Sequence, residues 1–210
     1  MREITLHELH RLALLSRRAL WDAAELAGHD TPKIYLHWTA GGYWHFFDDY
    51  QINIDEDGGL HASTEDLAEV LAHTWRRNTG GVGVAICGCY DATTADLGSA
   101  PPTLVQIDAI AQTVAILCAE LGLPVEKTCV LTHGEAADIE DGDTAGYGYD
   151  DAYGPKNGCE KWDLEYLGTP ESPIYNPYAT DGSRGGDVLR GKAIYWQTKW
   201  RADAERALPE

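Results

Sequence analysis

Basic residues are scarce in this chain. It carries 16 Lys and Arg residues against 34 Asp and Glu residues in a length of 210, which gives a formal net charge of −18. A surface of that sign repels nucleic acid and anionic membranes, so we expect neither as a partner. Broad electrostatic adhesion to other acidic polymers is disfavoured for the same reason, which leaves recognition to a groove.

The sequence also shows no apolar run that approaches the roughly 20 residues of a membrane span. Residues 1–10 carry charges and histidines where a secretory signal would have its apolar core, and no small-residue cleavage pattern follows. We therefore expect a soluble monomer without membrane insertion, synthesised in the cytoplasm without a signal peptide.

A disulfide framework is missing as well, because the five cysteines are odd in number and follow no such spacing. Cys159 lies in a polar segment. The others lie in apolar patterns and are predicted to be buried core thiols: Cys87, Cys89, Cys118 and Cys129.

What is present predicts an α/β fold. Capping boxes at Thr5 and Thr103 open helices predicted over 6–27 and 104–121, and apolar spacing predicts a terminal helix around 189–200. Strands are predicted near 33–38, 49–54, 60–62 and 82–86. We expect a single domain with a central mixed β-sheet flanked by helices. Its predicted parts are an N-terminal helical extension (1–30), a catalytic domain (31–170) and a C-terminal extension with a helix (171–210).

Two histidines lie at the ends of apolar runs. His37 precedes a turn of small residues, and His133 ends the run that starts at Cys129. Two imidazoles with one carboxylate or thiolate make three protein ligands and leave the fourth zinc position to water or substrate. The pattern predicts a hydrolytic Zn²⁺ site.

Five motifs in order resemble the zinc-dependent N-acetylmuramoyl-L-alanine amidases of type 2, which include phage amidase lysozymes and catalytic peptidoglycan recognition proteins. The resemblance covers most of residues 33–167 and says little about the two ends. The motifs are His37-Trp38-Thr39-Ala40-Gly41, Tyr50 to Gly58, His73-Thr74-Trp75-Arg76-Arg77-Asn78 before Gly81-Val82-Gly83-Val84, His133-Gly134-Glu135-Ala136-Ala137, and Lys161-Trp162-Asp163.

The resemblance implies that His37, His133 and Asp163 are the metal ligands and that Lys161 is directed at the scissile carbonyl. An alternative third ligand is Cys159, because phage amidases also carry a Cys-x-x-x-Asp-Leu pattern, which fits residues 159–164. In that case Asp163 would serve as the N-cap of a helix over 164–167.

Tyr50 corresponds to a family tyrosine whose hydroxyl hydrogen-bonds the attacking water or the tetrahedral intermediate. A buried tyrosine of a strand is the alternative. Cytosolic relatives use a glutamate where this chain has Ala85. The carboxylate base is therefore absent, which moves its role to Tyr50 and Lys161.

Trp38, His73 and Asn78 are the predicted substrate-binding residues, because the family lines its groove at these motifs. Trp44 and Trp75 are further candidates for contact with sugar or peptide, and core packing is the alternative for all three tryptophans. The acidic segment 138–160 is long for a connector, which favours a functional loop over the site, with disorder as the alternative.

The resulting expectation is a cell-wall hydrolase that cleaves the amide between N-acetylmuramic acid and L-alanine of peptidoglycan. It would reach the wall after lysis, by injection or by export through another system, as an endolysin, virion enzyme or effector. A noncatalytic peptidoglycan-binding module and a zinc endopeptidase that cuts within the stem peptide remain alternatives. A purely structural zinc domain is disfavoured, because Cys87-Gly88-Cys89 is too tight for a closed site.

Overall fold

Six short strands form one mixed sheet in the computed structural model, which describes residues 1–139, 154–157 and 161–206. The strands are β1 (Arg2–Ile4), β2 (Lys33–Trp38), β3 (Ile52–Ile54), β4 (Leu60–Ala62), β5 (Gly81–Ile86) and β6 (Val130–Thr132). The sheet order is β1-β4-β3-β5-β2-β6, in which β4 pairs antiparallel with both β1 and β3, and the other neighbours pair parallel. This confirms the predicted α/β class with a central mixed sheet.

The helices of the described residues are α1 (Leu6–Leu26), α2 (Leu104–Leu121), α3 (His133–Ala137) and α4 (Gly185–Arg206), with a 3₁₀ turn at Pro155–Asn157. The first three begin at capping boxes. Thr5 with Glu8, and Thr103 with Gln106, form the two predicted boxes, and α2 ends at Gly122 with a φ of 73°.

Helix α2 is the centre of the helical layer. It lies against β3 and β5 and is flanked by α1 and α4. By length and composition its 18 residues are apolar enough to cross a membrane, which the sequence expectation of no such segment overlooked. However, 67% of this window is buried inside the protein, and a buried core helix has the same apolar composition.

The expected strand over 49–54 was wrong in its start, the alternative helix over 164–167 does not form, and one strand was missed. Strand β1 was not predicted, and β3 begins at Ile52, so Tyr50 lies in a bend before the strand. Residues 164–167 form a turn, a bend and irregular structure instead of a helix, and Leu164 has a φ of 58°, outside the right-handed helical region. Asp163 therefore caps no helix there.

The remaining packing expectations hold. The cysteines predicted as core thiols are all buried: Cys87, Cys89, Cys118 and Cys129. Leu9 of α1 and Leu189 of α4 belong to the same apolar core as the sheet. The terminal helices thus share the core of the central unit, while the proposed boundaries at residues 30 and 170 stay predictions.

Candidate metal centre

The parallel pairing of β2 with β6 brings His37 and His133 together. Leu36 pairs with Thr132, so the next residue of each strand emerges at the same edge of the sheet. The prediction that His133 ends a strand was wrong. His133 is the first residue of α3, which begins at a capping box formed by Thr132 and Glu135. The two imidazole rings are 4.7 Å apart between centroids.

Asp163 completes a triad of ligand-type atoms. Its Oδ2 is 3.4 Å from Nδ1 of His37 and 3.3 Å from Nδ1 of His133. Ligands at the zinc distances of about 2.0–2.1 Å, placed at tetrahedral corners, are about 3.3 Å apart. The two distances to Asp163 therefore match the spacing that zinc needs, and all three ligand atoms lie within 4.8 Å of one another.

The electrostatics of the triad also suit a divalent cation. His37 is fully buried, and burial lowers its pKa to about 4, so its imidazole is neutral at pH 7. Burial alone would raise the pKa of Asp163, but His133 and His37 hold it below its ordinary value. Nδ1 of His37 is buried and makes no hydrogen bond. Neutral imidazole and carboxylate are the deprotonated ligand forms that zinc binds.

The structure thus brings together His37, His133 and Asp163, the predicted metal ligands. Among the described residues, these three are the group that could hold a metal ion. Cys159, the alternative third ligand, lies outside the described residues. Most of the predicted functional loop 138–160 lies outside them too.

The predicted catalytic residues lie around the triad. The Tyr50 ring is 5.0 Å from the His37 ring between centroids, and its hydroxyl donates a 3.4 Å hydrogen bond to the carbonyl of Trp38. Burial, and then the charge of Asp163, raises the pKa of Tyr50, so the phenol keeps its proton as a donor. Lys161 is exposed, and its nearby charge adds a little to the effect of burial on the pKa of His37.

His73 and Asn78, two of the predicted substrate-binding residues, make hydrogen bonds within their own loop. His73 is buried, and its Nδ1 is 3.0 Å from Oγ1 of Thr74. Oδ1 of Asn78 accepts hydrogen bonds from the backbone N–H groups of His73 (3.2 Å) and Thr74 (2.7 Å). These contacts hold a loop beside the triad, and the substrate roles of both residues remain predictions.

Trp38, which follows His37 in the chain, is buried and borders a groove of ≈ 320 Å³. Its ring meets the edge of Trp162 at 4.8 Å between centroids. Trp44 and Trp75, by contrast, are 57% and 61% exposed. The groove is lined by Trp38, Ala40, Cys89, Tyr90, Asp91, Ala92 and Trp162.

Two kinds of contact at the site were not predicted from the sequence. Thr74 Oγ1 is 3.3 Å from Nε2 of His37, although its neighbour His73 was the residue singled out. Arg190 and Arg184 bind buried carboxylates near the ligands, but such pairs are distant along the chain and leave no local pattern. At the position of the absent glutamate, Ala85 is buried and pairs directly with His37 across β2 and β5.

Comparison with known proteins identifies the family of this chain. Among solved structures, Drosophila PGRP-LB (wild type) is similar at 15% identity with a TM-score of 0.38, covering 57% of this chain and 84% of that chain, which is too distant to carry an argument. No protein of curated function matches the chain. The family model for N-acetylmuramoyl-L-alanine amidase matches residues 22–148, more than half of the chain, so the chain belongs to that family.

Proposed function

We propose that this chain is a zinc-dependent hydrolase that cleaves the amide between N-acetylmuramic acid and L-alanine in peptidoglycan. The observation that carries the proposal is the convergence of the two Nδ1 atoms on Oδ2 of Asp163 at 3.3–3.4 Å. Membership of the amidase family supports the same conclusion. A noncatalytic family member needs no such triad, so its presence favours an enzyme.

His37, His133 and Asp163 are the residues that would hold the metal. When bound, zinc lowers the pKa of a water to about 7 and polarises the substrate carbonyl. The protein contributes dry surroundings, since His37 is fully buried and His133 and Asp163 are buried. In such a site charges interact more strongly than in bulk water.

Two side chains next to the triad would act on the substrate itself. The protonated Tyr50 hydroxyl would donate a hydrogen bond to an oxygen that gains negative charge, after giving up its long 3.4 Å contact with Trp38. The ammonium of Lys161 would stabilise the same charge as a cation. Ala85 supplies no carboxylate, so the proposal assigns no glutamate base.

Product analysis tests this function directly. Peptidoglycan sacculi digested with the zinc-loaded protein should yield muramic-acid glycan chains free of peptide and peptides that begin at L-alanine, as identified by mass spectrometry. Peptides cut internally would instead make the protein an endopeptidase. Binding to sacculi without any product would make it a recognition module.

Ligand variants connect the activity to the triad. We expect His37→Ala and His133→Ala each to lose both zinc and hydrolysis, because two remaining ligands rarely retain the metal. His7→Ala is the control, since His7 is exposed on α1. Zinc content by atomic emission, measured beside turnover, decides the matter: full metal and activity in either triad variant would contradict the assignment.

A further inference from the structure

The second ring nitrogen of His37 faces a threonine. Nε2 of His37 is 3.3 Å from Oγ1 of Thr74, and both side chains are buried. The ring therefore has Asp163 and His133 on its Nδ1 side and Thr74 on its Nε2 side. A hydroxyl can donate or accept, so this contact alone fixes no proton.

The next contact extends the chain of hydrogen bonds from Thr74 to His73. Thr74 Oγ1 is also 3.0 Å from Nδ1 of His73. The hydroxyl has one proton: when it donates that proton to Nδ1 of His73, its oxygen accepts from Nε2–H of His37. His37 is then protonated on Nε2, and its Nδ1 is left with a lone pair toward Asp163 and His133.

The loop that carries Thr74 is held firmly against the sheet. Asn78 accepts from the backbone of Thr74 at 2.7 Å, which fixes the turn. His73 packs over Gly83 of β5, where a Cβ atom would lie 2.8 Å from Cδ2 and Cγ of the ring. Only a glycine lets the imidazole lie so close to the strand, so the glycine in β5 helps to set the position of Thr74.

We infer that Thr74 is a positioning residue of the metal centre: it accepts the Nε2–H of His37 and thereby holds His37 in the tautomer that offers Nδ1 to zinc. Partners of this kind orient metal-bound histidines and raise the basicity of the ligand. The inference rests on the proposed zinc site and concerns how this chain builds it.

Zinc affinity measured by competition with a chelating dye tests the inference without relying on activity. Thr74→Val keeps the shape of the side chain but cannot accept the proton, so we expect zinc binding to weaken about 10–100-fold. Thr74→Ser keeps the hydroxyl and should bind within a few-fold of wild type. Thr113→Val is the matched control, because Thr113 is a fully buried threonine of α2 whose hydroxyl makes no hydrogen bond.

A second measurement covers the case in which Thr74→Val fails to fold. Long-range ¹⁵N–¹H NMR of the zinc-loaded wild type should show His37 protonated on Nε2 and metal-bound through Nδ1. Zinc on Nε2, or unchanged affinity in a folded Thr74→Val, would overturn the inference. Failure of the wild type to bind zinc at all would instead overturn the proposed function, so the two failures are distinguishable.

Discussion

The single carboxylate oxygen between two imidazoles is the most specific feature of this protein at the scale of residues. Oδ2 of Asp163 approaches both Nδ1 atoms within 3.4 Å. One carboxylate oxygen can lie this close to two ring nitrogens in two cases. Either all three atoms bind one cation, or the nitrogens donate protons to the oxygen. Burial lowers the pKa of His37 to about 4, so this ring is neutral at pH 7 and can offer a lone pair to a cation.

The identity of the third ligand can be tested at this scale. Asp163→Ala should lose zinc, because the two remaining imidazoles bring no negative charge to balance the metal. Cys159→Ser should keep zinc and most activity. Charge cannot distinguish the candidates, since carboxylate and thiolate both leave a site of net charge about +1.

The position of Lys161 is what favours Asp163. Lys161 stands where the family has its lysine, two residues before the ligand, whereas a Cys159 ligand would put Lys156 one residue out of that place. Equilibrium dialysis of zinc against both variants is the measurement. A metal-free Cys159→Ser beside a zinc-binding Asp163→Ala would establish the thiolate.

At the scale of elements, one arginine of α4 and one just before it bind buried carboxylates in the two segments that carry proposed ligands. Glu135, two residues after His133, accepts from Arg190 at 2.7 and 2.9 Å. Glu165, two residues after Asp163, accepts from Arg184 at 2.6 and 3.0 Å, just before α4. Because all these charged groups are buried, each carboxylate depends on its arginine.

Loss of Arg190 should therefore destabilise the protein. Arg190→Met leaves Glu135 buried with its main partner gone, which costs about 3–5 kcal/mol for such pairs. Urea unfolding measures this cost. Arg201→Met, which changes an exposed arginine of the same helix, should shift the free energy of unfolding by less than about 0.5 kcal/mol.

The double variant Glu135→Met/Arg190→Met shows whether the unpaired charge is the cause. It removes both charges and should recover most of the loss. If the single Arg190→Met variant is as stable as wild type, the ion pair between Lys127 and Glu135, at 3.3 Å, is sufficient to stabilise the buried carboxylate.

The sequence predicts the elements whose signals are local. Helix α2 lies at 104–121 as predicted, because its capping box and its terminal glycine both lie within the segment. Thr132-His133-Gly134-Glu135 contains the same signal, which would have placed His133 at the start of a helix. Strand β1 has three residues and exists through pairing with β4, so no local pattern could reveal it.

The residues of the site also differ in whether a local sequence pattern reveals them. The proposed ligands were predictable because a family motif contains each of them. Thr74 and Arg190 were not, since their roles depend on partners 37 and 55 residues away along the chain. Only the sheet register and the packing of α4 bring these partners together.

At the scale of the whole molecule, buried histidines make stability depend on pH. Burial, followed by the charges of His37 and His133, lowers the pKa of His73 from 6.5 to about 2. Below pH 6.5 His73 therefore binds a proton in the unfolded chain but not in the folded protein. The contribution of His73 to the free energy of unfolding is fully present above pH 6.5. It falls as the pH falls, because protonation favours the unfolded state.

We expect His73 alone to remove about 2 kcal/mol of unfolding free energy between pH 7 and pH 5, since each pH unit below the unfolded pKa costs about 1.4 kcal/mol. Urea unfolding of metal-free protein at both pH values should show a weaker pH dependence in His73→Gln by that amount. His7→Gln, on the exposed side of α1, is the control. The net charge of −18 acts on wild type and variant alike, so it cancels in the comparison. An equal pH dependence in His73→Gln and wild type would show that the folded protein accepts the proton after all, and with it that the loop beside His37 opens to water.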